Sequence, residues 1–398
     1  MKIAIFTQHY FPENFRINYL VNELKKNNQI YIFTANPHYN LSKKVINNYK
    51  KNFPYKSSER NLVILRFPVF FQNKSNLSKV LNYLSYIISL CFYLTFLKKE
   101  KFDIIFVYAT SPIFQCIPAI YYKFLTKKPL VIWVQDLWPD ILYDHKIRFA
   151  NFFSYFLNPI INWIYRSSDI ILCQSQSFKK KIAKLNPGKT LLYENPSDII
   201  NTKINYNFRK KKFRILFAGN LGDSQDLNII VAVAKMLKKN NKNVAIDVVG
   251  YGKNFSFLQA CIKEHELEKY LNLYGYILPS KTVKYYSRSN ALLITLSKGL
   301  GTSKTIPSKF QTYLAYARPL LICSDGEINQ IVKKNYLGLI CRAGDVNLLY
   351  KNIMKLKKMN DSEYRKISFN CYNFYKKKYL LTNKVQELEK IFLNILKL

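Results

Sequence analysis

Acidic side chains are what this sequence lacks most: 24 Asp and Glu face 62 Lys and Arg across 398 residues, a net charge of +38. A field of that sign draws nucleic acid, anionic lipid or phosphorylated substrates. The lysines are spread along the whole chain, however, and heavy use of Lys, Asn, Ile and Tyr reads in part as compositional bias. Histidine is also scarce, with only His9, His38, His145 and His265, none at ligand spacing. Seven cysteines lie scattered without a C-x-x-C pair, which points to reduced structural thiols and away from a zinc site. No resident metal is expected. Long apolar runs are few: the longest, 81–98, is interrupted by Asn82 and Ser85 and falls near the lower limit of ~18–20 residues for a span. It reads first as a buried helix, next as a membrane-facing amphipathic helix, and last as a transmembrane segment. The opening Met1-Lys2-Ile3-Ala4-Ile5-Phe6-Thr7 turns polar too quickly for a signal peptide and reads as a first strand.

What is present is rhythm. In the first half, strand patterns at 2–7, 29–34, 62–67, 103–108, 130–135 and 169–173 alternate with helical patterns at 14–26, 78–98, 112–125 and 150–166. Such alternation predicts a parallel sheet with helices on both faces. The stretch Lys203–Lys212 has no apolar periodicity and reads as a linker. The rhythm then restarts, with strands at 214–218, 244–249, 271–275, 291–296, 320–323 and 338–341 and helices between them. The expected division is 1–202, 203–375, and a terminal helical segment, 376–398. The fold class is α/β: two Rossmann-like, doubly wound parallel-sheet domains facing a central cleft, where open sheets bind ligands at their strands' carboxyl ends.

Five turns carry candidate chemistry. Thr305-Ile306-Pro307-Ser308-Lys309-Phe310 places hydroxyls and cations ahead of an apolar helix, and a helix N-terminus suits phosphate. A capped surface helix is the plainer reading. Gly219-Asn220-Leu221-Gly222 and Gly250-Tyr251-Gly252 each end a strand, where backbone N–H groups can approach a phosphate. Neither completes G-x-G-x-x-G, so a mononucleotide diphosphate is preferred to NAD. After the first strand, Glu13, Asn14 and Arg16 crowd a strand-to-helix turn, with an Asn14 helix cap as the plainer alternative. Asp136, beside Trp138 at another strand end, is placed to accept a proton or simply to brace its turn. Asp140 reads as a cap.

Tyr10-Phe11-Pro12-Glu13-Asn14-Phe15-Arg16-Ile17-Asn18, Trp133-Val134-Gln135-Asp136-Leu137-Trp138-Pro139, Gly219-Asn220-Leu221-Gly222 and Pro307 through Ala315 to Arg318-Pro319 together resemble bacterial GT-B glycosyltransferases of family 4. The resemblance is to the subgroup that includes L-fucosamine transferase-like enzymes of capsule and O-antigen synthesis. It implies a retaining transferase with a nucleotide-sugar donor, commonly UDP-linked, and no cofactor. On this resemblance Gly219, Asn220, Gly250, Gly252, Lys304, Ser308, Lys309 and Thr312 bind the donor. Glu13, Asn14 and Arg16 bind a glycan or lipid-linked acceptor, and Asp136 and Lys309 act in catalysis. The wider family's Arg and Lys correspond here to Asn220 and Gln225, and its two glutamates to Lys304 and Thr312. The two lysines are expected to replace the missing charge on the leaving diphosphate. A cytoplasmic location, peripheral on the membrane's inner face, follows from charge and apolar helices. Other readings are a nucleotide-sugar epimerase of the same architecture and a basic nucleic-acid-binding protein; no recognised nucleic-acid module supports the latter.

Overall fold

The computed structural model describes residues 1–398 except 39–45, 50–53, 71–74, 98–100, 145–149, 187, 198–211, 300–302 and 398. The chain divides into two compact units, Met1–Glu194 with Leu381–Leu398, and Asn195–Leu380. The expected linker lies almost wholly outside the described residues. The second boundary falls later than expected because Cys371, Tyr375 and Tyr379 are buried in the second unit's core. Only the Leu381–Leu396 helix joins the first unit's core, through Leu381, Val385, Leu388 and Phe392.

The first unit holds an eight-stranded sheet: β1 (Lys2–Phe6), β2 (Gln29–Ala35), β3 (Tyr55–Glu59), β4 (Leu62–Phe67), β5 (Ile104–Ala109), β6 (Leu130–Val134), β7 (Ile170–Cys173) and β8 (Thr190–Leu192). Their spatial order is β3-β4-β2-β1-β5-β6-β7-β8, and only β3 runs antiparallel, against β4. β5 and β6 are buried at every residue, as continuous apolar runs covered on both faces must be. In β1, Ala4 and Phe6 enter one core and Ile3 and Ile5 the other, the two-residue alternation of a strand between two helix layers.

The second unit repeats the plan with six parallel strands: β9 (Phe213–Ala218), β10 (Val244–Val249), β11 (Leu271–Leu273), β12 (Ala291–Thr295), β13 (Leu320–Cys323) and β14 (Gly338–Cys341). Their order is β11-β10-β9-β12-β13-β14, the doubly wound order 3-2-1-4-5-6. β9 pairs with both β10 and β12, so its carboxyl end lies at the switch point. In the first sheet β1, paired with β2 and β5, holds the same place. β10 also carries the buried Asp247, held by Arg214 (3.1 Å), Arg288 (2.8 Å) and Asn272 (2.8 Å).

Candidate functional site

The second unit's switch point is assembled from loops after β9, β10 and β12. The Gly219–Gly222 and Gly250–Gly252 turns interlock. A Cβ at Gly250 would lie 1.8 Å from the Gly219 carbonyl oxygen, and one at Gly252 2.6 Å from Asn220 Oδ1. Gly219 and Gly250 adopt φ of +145° and +149°, which side chains rarely tolerate. Their N–H groups donate to Val249 O (2.9 Å) and Gly275 O (2.8 Å). These two glycines therefore serve close packing of the turns, and their amides are spent inside the fold. The loop after β12 joins them where Ser297 N donates to Ser224 O at 3.0 Å.

Across from these turns stands the Ser308–Ala315 helix. Phe310, Tyr313 and Leu314 bury its inner face, and the Tyr313 hydroxyl accepts from Ala218 N (2.7 Å) and donates to Ala218 O (3.1 Å). That pair pins the helix to the end of β9. Pro307 occupies the N-cap with no side-chain capping bond. The buried Gln311, with its amide nitrogen facing the first turn, donates to Pro307 O (3.2 Å) and Ser308 O (2.9 Å).

Four residues before Tyr313, Lys309 points the same way. Its Nζ donates to Gln225 Oε1 at 2.7 Å and lies 3.8 Å from the Phe217 ring centroid. A Cβ at Gly219 would stand 3.4 Å from that nitrogen, so glycine leaves room for it. Lys309 as a whole is half-buried, but its ammonium sits among densely packed atoms. Desolvation brings its pKa from 10.5 to about 7, because burial penalises the charged form. Lys309 thus carries its charge to the wall where Asn220 and Gln225 stand. Lys304 lies half-buried on the preceding turn, Ser308 is exposed at the helix start, and Thr312 is half-buried beside Tyr313.

In the first unit, Glu13 is 2% exposed. Its Oε2 lies 2.8 Å from His9 Nδ1 and its Oε1 accepts from His38 N at 2.8 Å. Burial raises the Glu13 pKa, but the hydrogen bond and charge of His9, with His38, outweigh it and leave the group below its ordinary 4.5. His38 donates from Nδ1 to Asn36 O (2.9 Å), its buried Nε2 has no hydrogen-bond partner, and burial lowers its pKa. Asn14 is exposed and Arg16 half-buried. Arg16, and not Asn14, stands at the N-cap of the Ile17–Leu24 helix, and its side chain does not cap it. Asn18 does the bracing, donating to Glu13 O (2.7 Å) and accepting from Phe11 N (3.1 Å). Asp136, half-buried past the end of β6, accepts from Ser111 N at 2.8 Å. Asp140 is buried and pairs with Lys181.

A model of the family described as Glycosyltransferase Family 4 matches residues 16–196, and one described as Glycosyl transferases group 1 matches 198–373. Among solved structures, Anabaena HepE in complex with UDP and glucose is 12% identical, with a TM-score of 0.68 over 99% of this chain and 100% of that one. An Escherichia coli structure titled trehalose-6-phosphate, bound with UDP-2-fluoro glucose, is 10% identical, with a TM-score of 0.73 over 98% and 99%. The chain is a GT-B glycosyltransferase. Sucrose-phosphate synthase from Thermosynechococcus elongatus is similar at the same level, 11% identical with a TM-score of 0.70 over 99% and 98%. No curated protein sequence matches.

The glycosyltransferase fold brings together polar residues whose meeting spacing does not disclose. His9, Glu13 and His38 offer ligand-type atoms all within 4.8 Å of one another, yet His38 is 25 residues from Glu13 and belongs to the loop after another strand. Arg66, 2% exposed, donates to Phe11 O at 2.6 Å and lies 4.9 Å from the Tyr49 ring centroid, while its Nε and a second guanidinium nitrogen make no hydrogen bond. The only sequence signal for Arg66 is a cation inside an apolar strand. Gln225 was read only as a lost cation; in the fold it receives Lys309.

Proposed function

We propose that the glycosyltransferase moves a sugar from a nucleotide-diphosphate sugar, UDP-linked, to a lipid-linked or oligosaccharide acceptor, with retention of configuration. This places it with the L-fucosamine transferase-like enzymes of surface polysaccharide synthesis, working at the cytoplasmic face of a membrane. The observation that carries the reading is Lys309: a desolvated ammonium at the β9–β12 switch point, 2.7 Å from Gln225. An anionic diphosphate there would complete it, assisted by the N-terminus of the Ser308–Ala315 helix and by Lys304, with no resident metal. Charge developing on the departing diphosphate would meet a preorganised cation in a low-dielectric site, an effect worth several kcal/mol. HepE and the E. coli structure are described with UDP or a UDP-sugar, which supports the choice of nucleotide. On the acceptor side Asp136 would receive the acceptor proton, and the turn of Glu13, Asn14 and Arg16 would shape the acceptor pocket.

The test is a thermal-shift screen against UDP, GDP and ADP sugars, followed by nucleotide release with and without acceptor. A ligand at 100 times its dissociation constant stabilises by about 2.7 kcal/mol, a readily seen shift. Nucleotide release that requires acceptor supports transfer. Sugar interconversion without acceptor would establish the epimerase reading instead.

A further inference from the structure

The Asn76–Phe96 helix is built inside out. Its buried stripe is Ser78, Asn82, Tyr86, Leu90 and Leu94, and Asn82 is fully enclosed, accepting from Gln8 Nε2 (2.8 Å) and donating to Phe70 O (2.7 Å). Its outer stripe is apolar: Leu77, Leu84, Ile88, Phe92 and Phe96 are 69%, 48%, 66%, 61% and 72% exposed. A helix facing water places its polar residues on the other side. Only 28% of its apolar window is buried, so it is not the core helix its composition predicts. The buried stripe, from Ser78 to Leu94, holds the helix against the first unit's core.

The apolar surface continues onto its neighbours. Tyr86, Tyr122 and Ile164 share one core, placing the Ile117–Thr126 and Ala150–Ser167 helices in the same layer. Their outer faces expose Phe124, Tyr155, Phe156, Ile160 and Trp163. None of the three helices contains Asp or Glu. Lys123 is spent on Asp169 at 2.7 Å, but Lys79 and Arg166 also lie on them, and Lys127 Nζ sits 4.6 Å above the Phe124 ring. An apolar face bordered by an excess of cations complements an anionic surface with an apolar interior.

We propose that this face docks on an anionic lipid leaflet, with the Asn76–Phe96 helix lying flat at the boundary of headgroups and acyl chains. Tyr155 and Trp163 occupy headgroup depth, where amphipathic rings settle, and Lys79, Lys127 and Arg166 meet lipid phosphates. The proposal names the surface behind the membrane-face reading above, and its test needs neither donor nor acceptor, so either can fail alone.

The experiment is co-sedimentation of the full chain with phosphatidylcholine vesicles, with and without phosphatidylglycerol. Wild type should pellet with phosphatidylglycerol vesicles, and the exposed substitutions Ile88→Glu and Phe92→Glu together should reduce partitioning at least about tenfold with an unchanged melting temperature. On the wild-type chain, Trp163 fluorescence should shift to the blue on these vesicles, and Trp163→Phe should abolish the shift. Wild type left in the supernatant overturns the proposal, as does a double variant that pellets like wild type or a blue shift surviving in Trp163→Phe. A lipid-free dimer dissolved by the double variant would assign the face to a second copy of the chain and overturn it too.

Discussion

Replacing Lys309 by Met should abolish donor binding without weakening the fold. The fall of its pKa from 10.5 to about 7 corresponds to about 5 kcal/mol of hydration lost by the ammonium, at about 1.4 kcal/mol per factor of ten. In the unfolded chain Lys309 keeps its ordinary value, so between pH 7 and 10.5 the unfolded state binds the extra proton and this group's contribution to stability rises with pH. Near pH 7 and below, Lys309 costs stability that Met does not. Gln225, half-buried, can turn to water once its partner is gone. Lys309→Met should therefore match or exceed wild type in urea denaturation at neutral pH, and the difference should shrink in alkaline solution. A diphosphate stabilises the protonated amine, so binding above pH 7 must take up a proton. Affinity for a UDP-sugar, whose diphosphate does not titrate in this range, should fall about tenfold per pH unit above 7. Titration calorimetry in buffers of different ionisation enthalpy should register the proton. Affinity independent of pH across this window, or a Lys309→Met protein that binds the UDP-sugar like wild type, would refute the reasoning.

Gly250→Ala should cost at least about 2–3 kcal/mol in denaturant unfolding and weaken donor binding, since its Cβ would meet the Gly219 carbonyl at 1.8 Å with φ at +149° and such strain costs of order 1–3 kcal/mol alone. Glu13→Gln should lower stability by about 1–3 kcal/mol at neutral pH. Because the Glu13 pKa is depressed in the fold, that deficit should persist down to its ordinary 4.5 and close below it as wild type loses its own carboxylate, as equilibrium unfolding against pH would show. Dialysis against a chelator should leave sugar transfer unchanged; loss of activity restored by a divalent cation would turn attention to His9, Glu13 and His38.

Much of the architecture was legible because both sheets, the edge strand β3 apart, are parallel and largely buried. Strands buried on both faces read as continuous apolar runs, and 320–323 stands where its pattern put it. The two strands that escaped notice explain themselves: β3, Tyr-Lys-Ser-Ser-Glu, is a polar edge strand with no buried residue, and β8 spans three residues. The 308–315 helix and its Lys309 were visible as turn chemistry before an apolar pattern. The roles of the glycines were not, since a Gly turn for phosphate and a Gly turn for close packing look alike in one dimension.

The order of apolar runs and turn residues alone determined two doubly wound units, because a backbone that must bury its hydrogen-bonding groups has few ways to pair such runs. Tertiary structure decided which distant residues meet: Lys309 with Gln225 and Phe217, and Glu13 with His38. It also decided which face of the Asn76–Phe96 helix is covered. Its outer stripe is apolar as well, so composition did not say which face is covered; in the fold Asn82, bonded to Gln8 and Phe70, lies on the buried stripe with Tyr86, Leu90 and Leu94.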